Sequence, residues 1–250
     1  MKKVLLSLIS FFLLACNGDK VPDCFQNSGD IISKEISVKE FSRITVFERI
    51  ELILIDGPEY KVVLETGEYL ENDISAKVVG DRLVLRNENA CNLTRDYGIT
   101  KFYVTAPNIV EVRNSSGLTV GNQGTLTYPD LTLISEDFEE EDLYHTDGHF
   151  RLKVNSERLT VILNNISHTF LEGSVDQLTI NTFSGDARFE CADLIATNVQ
   201  INHRGTNDII VYPVESVRGQ LRSTGDLILV NTPPIIEVDE IYTGRVIIRD

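Results

Sequence analysis

Four corners in the stretch 178–248 constrain this chain more than any other feature. Ser184-Gly185-Asp186-Ala187, Thr206-Asn207-Asp208-Ile209, Thr224-Gly225-Asp226-Leu227 and Thr243-Gly244-Arg245-Val246 each place a small polar residue, then Gly or Asn, then a polar and an apolar residue. Gly and Asn enter the left-handed backbone region at least cost, so the recurrence predicts a repeated sharp corner in that conformation. The corners return roughly every twenty residues with short β-branched runs between them, which is the period of a β-solenoid. A unit of two short strands cannot bury its own apolar face, so stacked neighbours must supply the core together. The predicted fold class is therefore all-β, a β-solenoid or β-helix-like body of stacked short strands, with about five to seven units.

Upstream the same grammar is looser. Asn114-Ser115-Ser116-Gly117, Asp147-Gly148 and Asn164-Asn165 interrupt runs such as Leu131/Leu133, Leu152/Val154 and Leu159/Val161/Leu163. The predicted structural turns are thus Gly117, Gly148, Asn164, Gly185, Asn207, Gly225 and Gly244, with Asp147-Gly148 read as a two-residue hairpin turn. Before Pro107 the pattern predicts an N-terminal sheet of β-hairpins. Ile44, Val46, Ile50, Leu52 and Leu54 keep a period of two up to Asp56-Gly57-Pro58, and Tyr60, Val62 and Leu64 resume it. A second hairpin turns at Gly80-Asp81 and leads into Leu83 and Leu85, and Phe102/Val104 form a further strand. Only residues 68–74 could hold a helical turn.

Lys2 and Lys3 precede an apolar run over residues 4–14 that ends at Ala15-Cys16, the form of a secretory leader and too short to remain as a membrane span. The end of that run resembles the lipobox of bacterial lipoproteins, and the resemblance implies that Cys16 carries the lipid and becomes the new N-terminus. The expected layout is a signal peptide over 1–15, a lipidated tether over 16–40 and an all-β body over 41–250, divided into hairpins (41–106) and a repeat-bearing solenoid (107–250). Removing a leader with two lysines and no acid takes the net charge from −15 to −17. So acidic a chain is a poor partner for nucleic acid or anionic lipid, and the membrane would be held through the lipid alone. Of the four cysteines, Cys191 alternates with Phe189 and reads as a buried free thiol. Cys24 and Cys91 lie in polar surroundings, where a disulfide would pin the base of the tether to the first sheet.

Several residues together carry a further resemblance. Phe41-x-x-Ile44-x-Val46, the Gly57 turn, Leu83-x-Leu85 with Cys91-Asn92, Pro107 followed by Val112, and the Ser/Thr-Gly-Asp-apolar corners resemble the putative auto-transporter adhesin, head GIN domain family. The resemblance runs from Phe41 to the C-terminus and departs from the pattern at residues 136–142 and Asn164-Asn165. It implies a secreted or lipid-anchored protein of the kind common in Bacteroidetes, with a coiled β body, suspected adhesion and no catalytic residues to transfer.

Chemistry-bearing motifs are few. Glu136, Asp137, Glu139, Glu140, Glu141 and Asp142 invite a calcium reading, but they lack the Asp/Asn-Gly alternation that folds ligands inward, so the run reads as a solvated acidic segment. His145 and His149 flank Asp147, yet on a hairpin the two rings need not converge on a metal. His203 reads as an exposed corner residue. Nucleophile elbows and phosphate-cradling loops are absent from the sequence. The expectation is a cell-envelope binding or structural module without catalysis, metal or cofactor, at the outer membrane, whose polar face meets a surface polymer or protein. The enzymatic alternative is a β-helix polysaccharide lyase or hydrolase with Arg204, Arg218 and Arg222 along a groove; the lack of Trp argues against it. The disulfide is tested by alkylating denatured protein before and after reduction. A gain of two labels on reduction is expected, and equal labelling in both conditions would refute the pairing.

Overall fold

The computed structural model describes residues 26–89, 98–138, 140 and 142–249. Cys16, Cys24 and Cys91, and with them the expected lipidation and disulfide, lie outside the described residues, as do Glu139 and Glu141. Among the described residues, seventeen strands share one continuous hydrogen-bonded ladder. They are β1 (Ile31–Ile36), β2 (Arg43–Phe47), β3 (Glu51–Asp56), β4 (Lys61–Gly67), β5 (Ile74–Val79), β6 (Arg82–Asn87), β7 (Lys101–Ala106), β8 (Glu111–Ser115) and β9 (Thr119–Gln123). Then come β10 (Asp130–Ser135), β11 (His149–Leu163), β12 (His168–Thr182), β13 (Arg188–His203), β14 (Ile209–Leu221), β15 (Leu227–Leu229), β16 (Ile235–Glu240) and β17 (Val246–Ile248). A single turn of 3-10 helix, Glu71–Asp73, falls where the sequence allowed one.

The solenoid is all-β, as the corner period predicts, and its rungs have two arms. β11 shows how one strand makes both. Phe150, Leu152, Val154 and Ser156 are buried in alternation, two exposed residues follow at 157 and 158, and Leu159, Val161 and Leu163 resume the alternation one residue out of phase. That slip turns the strand from one face of the body to the other while its apolar side chains stay inside. The N-terminal arms of β11 to β14 then stack in one sheet and their C-terminal arms in the second, all parallel. Leu159 faces Leu178, Leu178 faces Val199 and Val199 faces Val217, so the stacked arms lay apolar side chains over one another. Phe102, Phe150, Phe189, Leu52, Leu54 and Ile180 are among the side chains fully enclosed between the sheets, each contributing about 1.5–3 kcal/mol by area.

The repeats begin earlier than the sequence suggested. β2 and β3 already form a rung, flanked in parallel by β6 and β7 on one side and by β8 and β9 on the other. The chain therefore lays down an inner rung, passes through β4 and β5, adds the outer rung, and crosses back. Gly80-Asp81 does close a hairpin between β5 and β6. Asp56-Gly57-Pro58 does not: β4 pairs antiparallel with β1 and β7, and never with β3. A period of two marks both kinds of strand, so the alternation could not tell a hairpin from two strands separated by an intervening β7. Asp147-Gly148 is likewise no hairpin turn, because β10 and β11 run parallel. No break occurs at residue 107, and the antiparallel β1, β4 and β5 cover the N-terminal edge of the same body.

The corners recur for a second reason besides backbone conformation. Left-handed φ is found at Gly117 (70°) and Gly185 (89°), and at Asn165 (51°) in place of Asn164, but not at Asn207, Gly225 or Gly244. At Gly225 the constraint is proximity: a Cβ there would collide with the Asn207 carbonyl and the His203 ring of the rung below. The Asp that follows the middle two corners ties each to the next rung. Asp208 Oδ1 accepts the Asp226 N–H at 3.1 Å, and Asp226 Oδ1 accepts the Arg245 N–H at 2.8 Å. Cys191 is a fully buried free thiol, and burial followed by the nearby Glu190 charge pushes its pKa up. Gly225→Ala should therefore lower stability by about 1–3 kcal/mol, the usual effect of overpacking, measured as a lower urea midpoint. An unchanged midpoint would mean the corners tolerate a wider rung spacing.

Candidate binding groove

On the outer face of the first sheet, side chains line up in rows across the strands. One row runs Tyr103, Ile53, Gly121, Arg151, Phe170, Glu190 over β7, β3, β9, β11, β12 and β13. Gly121 interrupts it, leaving a gap between Ile53 and Arg151. Nothing in the backbone requires that glycine. A Cβ at Gly121 would meet only the Arg151 carbonyl oxygen, at 3.7 Å and in ordinary contact. The gap opens into a groove of about 680 Å³. Its far wall is a bulge in β13, where the register against β12 and β14 slips around Cys191 and Ile195 and lifts Ala192 and Asp193.

The rows on either side supply charge. Glu51 pairs with Lys101 at 3.3 Å, Lys153 with Glu172 at 3.4 Å, and Arg188 Nε with Glu190 at 2.6 Å. These are solvent-facing pairs, so each fixes side-chain position more than it stabilises the fold. Arg151 differs. Its guanidinium sits 4.3 Å from the centre of the Phe170 ring and has no carboxylate partner among the described residues. The groove thus offers a cation held flat by an aromatic face, an apolar contact at Ile53, three carboxylates engaged by cations, and Asp193.

His149 and His168 lie tilted against each other on the neighbouring row with ring centres 5.2 Å apart, and the His168 backbone N–H donates to His149 Nδ1 at 3.1 Å. Burial and then the neighbouring His168 lower the His149 pKa, against Asp147. His145 is not its partner; its Nε2 lies 3.9 Å from Glu48 Oε1. Among the described residues no three His, Cys, Asp or Glu side chains converge on a metal position. In the acidic run Glu136 is structural. Arg113 donates to its carbonyl at 2.6 Å and its carboxylate at 2.9 Å, while Tyr144 lies between Phe47 and Arg113 and secures the other end of the segment.

One corner residue carries more structure than the sequence showed. His203, expected to be exposed, is fully buried. Its Nε2–H donates to the Asn207 carbonyl at 2.9 Å, and Nδ1 accepts from the Thr182 hydroxyl at 2.8 Å, which fixes the neutral tautomer. The last inward position of the stacked strands is polar at Asn114, Ser135, Thr182 and His203 and apolar at Leu163 and Leu221. A run ending in Asn-His before Arg-Gly gave no sign of this, since the strand's period of two places His203 inward only if β13 extends that far.

Residues 40–233 are matched by the model of the family described as putative auto-transporter adhesin, head GIN domain. The chain belongs to this family. Among solved structures it is similar to a putative adhesin from Bacteroides fragilis NCTC 9343, with 17% identity and a TM-score of 0.76 over 88% of this chain and 97% of that one. A putative adhesin from Parabacteroides merdae ATCC 43184 matches at 14% identity and a TM-score of 0.63, over 89% and 97% of the two chains. A putative lipid binding protein from Parabacteroides distasonis ATCC 8503 matches at 12% and 0.61, over 88% and 97%. At these identities the head GIN likeness establishes a shared fold. No curated protein matches the sequence.

Burial, opposed by the Asn207 hydrogen bond and by Asp208 and Asp226, lowers the His203 pKa in the folded state. The unfolded chain takes up a proton near pH 6.5 and the folded chain does not, so stability is full above that pH and falls as the pH drops below it. His149 acts in the same direction. Melting temperature is expected to fall between about pH 7.5 and pH 5.5, and His203→Gln should make that slope shallower. The same slope in wild type and variant would refute the assignment.

Proposed function

We propose that this head GIN protein is an exported, lipid-anchored binding module of the cell envelope, without catalysis, whose working surface is the groove around Gly121. The observation that carries the reading is the missing side chain in the middle row. Position 121 accepts a larger residue on backbone grounds, yet it is Gly, and the space it leaves faces Arg151 and Phe170. A groove on parallel arms that are hydrogen-bonded on both sides changes shape little on binding, so the ordering cost of capture is low. The leader and Cys16 support export and attachment through a lipid, and the family supports an adhesin-type role. The occupant that suits an open, elongated and polar-rimmed depression is a segment of a surface polymer.

The lyase or hydrolase alternative draws less support. General acid–base hydrolysis uses a pair of carboxylates, whereas Glu51, Glu172 and Glu190 are each engaged by a cation, which leaves Asp193 as the one unengaged carboxylate among the described groove residues. Lipid binding, the role named for the Parabacteroides distasonis relative, suits an enclosed apolar cavity better than this open one with Glu51, Arg151, Lys153, Glu172, Glu190 and Asp193 along it. Gly121→Leu should fill the groove, leave the melting temperature unchanged and weaken capture of polymer extracted from the protein's own cell envelope about tenfold, about 1.4 kcal/mol. Gly121→Ala should bind nearly as wild type does. Biolayer interferometry on the mature protein reads both; equal binding by Gly121→Leu would refute the groove as the working surface.

A further inference from the structure

We infer a second binding site, separate from the groove, at which Arg204 and Arg222 hold an anionic group carried on a sugar chain. Thr182 faces His203 and His203 faces Leu221 across β12, β13 and β14. The next residues are Phe183, Arg204 and Arg222, and the ladder continues through them: the Arg204 N–H donates to the Thr182 carbonyl at 3.0 Å and the Arg222 N–H to the His203 carbonyl at 2.7 Å. Adjacent strands lie about 4.8 Å apart, so two exposed arginines sit one directly above the other. Like charges in that relation repel.

Several arginines of this body meet an acid across strands, and Arg43, which faces Arg82 in register, has Asp81. Arg218 meets Glu237 at 2.9 Å, Arg82 meets Glu111 at 2.6 Å, and Arg158 pairs with Asp130. Arg204 has no side-chain partner among the described residues, and Arg222 donates only to the neutral Gln220 amide oxygen. In a chain with 38 acidic and 23 basic residues, no acid among the described residues pairs with either arginine at this edge. Asp137, Glu140 and Asp142, from the acidic segment that brings Phe138 to the site, make no ion pair with either arginine. Of the three arginines that a polysaccharide site invited, Arg218 is neutralised by Glu237 and the other two are left for a ligand.

The surroundings say what the ligand is. A depression of about 570 Å³ is lined by the two arginines, by Ser184 and Ser223, and by Phe138, Phe183 and Tyr242, with no acid among the described residues that line it. The three rings are open to solvent: Phe138 is 59%, Phe183 36% and Tyr242 61% exposed, with Phe138 and Phe183 edge-to-face at 5.3 Å. Exposed aromatic faces beside guanidinium groups and hydroxyls fit a sugar ring that bears a carboxylate or a sulfate. The ring stacks on Tyr242 or Phe183, and the anion takes charge-assisted hydrogen bonds from both arginines. A lipid tail would find no enclosed channel here.

The test titrates the mature full-length protein calorimetrically with four probes: an oligogalacturonate, a heparin oligosaccharide, a neutral malto-oligosaccharide of equal length, and phosphatidylglycerol vesicles. One or both anionic oligosaccharides should bind, more weakly at high salt, and the neutral one should not; which of the two binds distinguishes carboxylate from sulfate. Arg204→Gln with Arg222→Gln should lower the affinity at least about tenfold, and Tyr242→Ala should lower it by a smaller factor. The double Arg→Gln variant removes a repulsion and should melt no lower than wild type. Should it fail to fold, the single Arg222→Gln variant takes its place. Gly121→Leu should bind these probes as wild type does, which separates this site from the groove. Binding that survives both arginine variants, equal binding of the neutral sugar, vesicle binding in place of sugar binding, or no binding by either anionic sugar would each overturn the inference.

Discussion

Parallel stacking of rungs, one backbone ladder upon the next, is the constraint on which everything else in this molecule depends. A two-armed rung has no interior of its own. Its apolar side chains are buried only because Leu159, Leu178, Val199 and Val217 overlie one another and because the opposite arms bring Phe150 and Phe189 against them. The stacking distance is set by hydrogen bonds at about 4.8 Å and leaves no slack at the corners. That is why Gly225 lies against the Asn207 carbonyl and why Asp208 and Asp226 can reach the next rung's backbone. Conformation and proximity both select small residues there, and only proximity explains the corners with ordinary φ.

The corner period and the alternation of β11 made the solenoid legible in the sequence, and the free, buried state of Cys191 followed from its phase with Phe189. What stayed hidden was the order of the rungs. Period-two segments such as 50–55 and 60–64 look alike whether they pair with each other or, as here, lie on either side of β7. The insertion of β2 and β3 between two later rungs is a long-range pairing, and no local signal encodes it. His203 was missed for a related reason. Its inward position follows from the length of β13, and a polar residue at a strand end reads as exposed unless its partners, Thr182 twenty-one residues earlier and the Asn207 carbonyl, are in view.

The charges follow the same lattice. Cross-rung pairs such as Arg82 with Glu111 and Arg218 with Glu237 set arginine against acid, and where Arg43 faces Arg82 in register each has an acid of its own, Asp81 and Glu111. Each pair is worth little energetically, so their value lies in register and in avoiding repulsion. Against that background the arginines without carboxylates become informative. Arg151 lies flat on Phe170 beside the gap at Gly121, and Arg204 stacks beneath Arg222 among open aromatic rings. Groove candidates were not legible in the sequence because Gly121 resembles any other strand glycine until its neighbours on β3 and β11 are known.

A solenoid separates the residues that build it from those that use it. Inward positions and corners are fixed by stacking, and a change at Gly225 or His203 is felt by the rungs on both sides. Outward positions on the arms contact only their row neighbours, so Gly121, Arg151 or Arg204 can change with little effect on the core. The two sites also sit on different parts of the rung, one on the outer face of the first sheet and one at the corner that leaves the second. Because both rest on the same ladder, their side chains repeat at the strand spacing along one axis. A polymer that presents groups at intervals can then be held at several points, and weak single contacts add through effective concentration on a scaffold that does not rearrange.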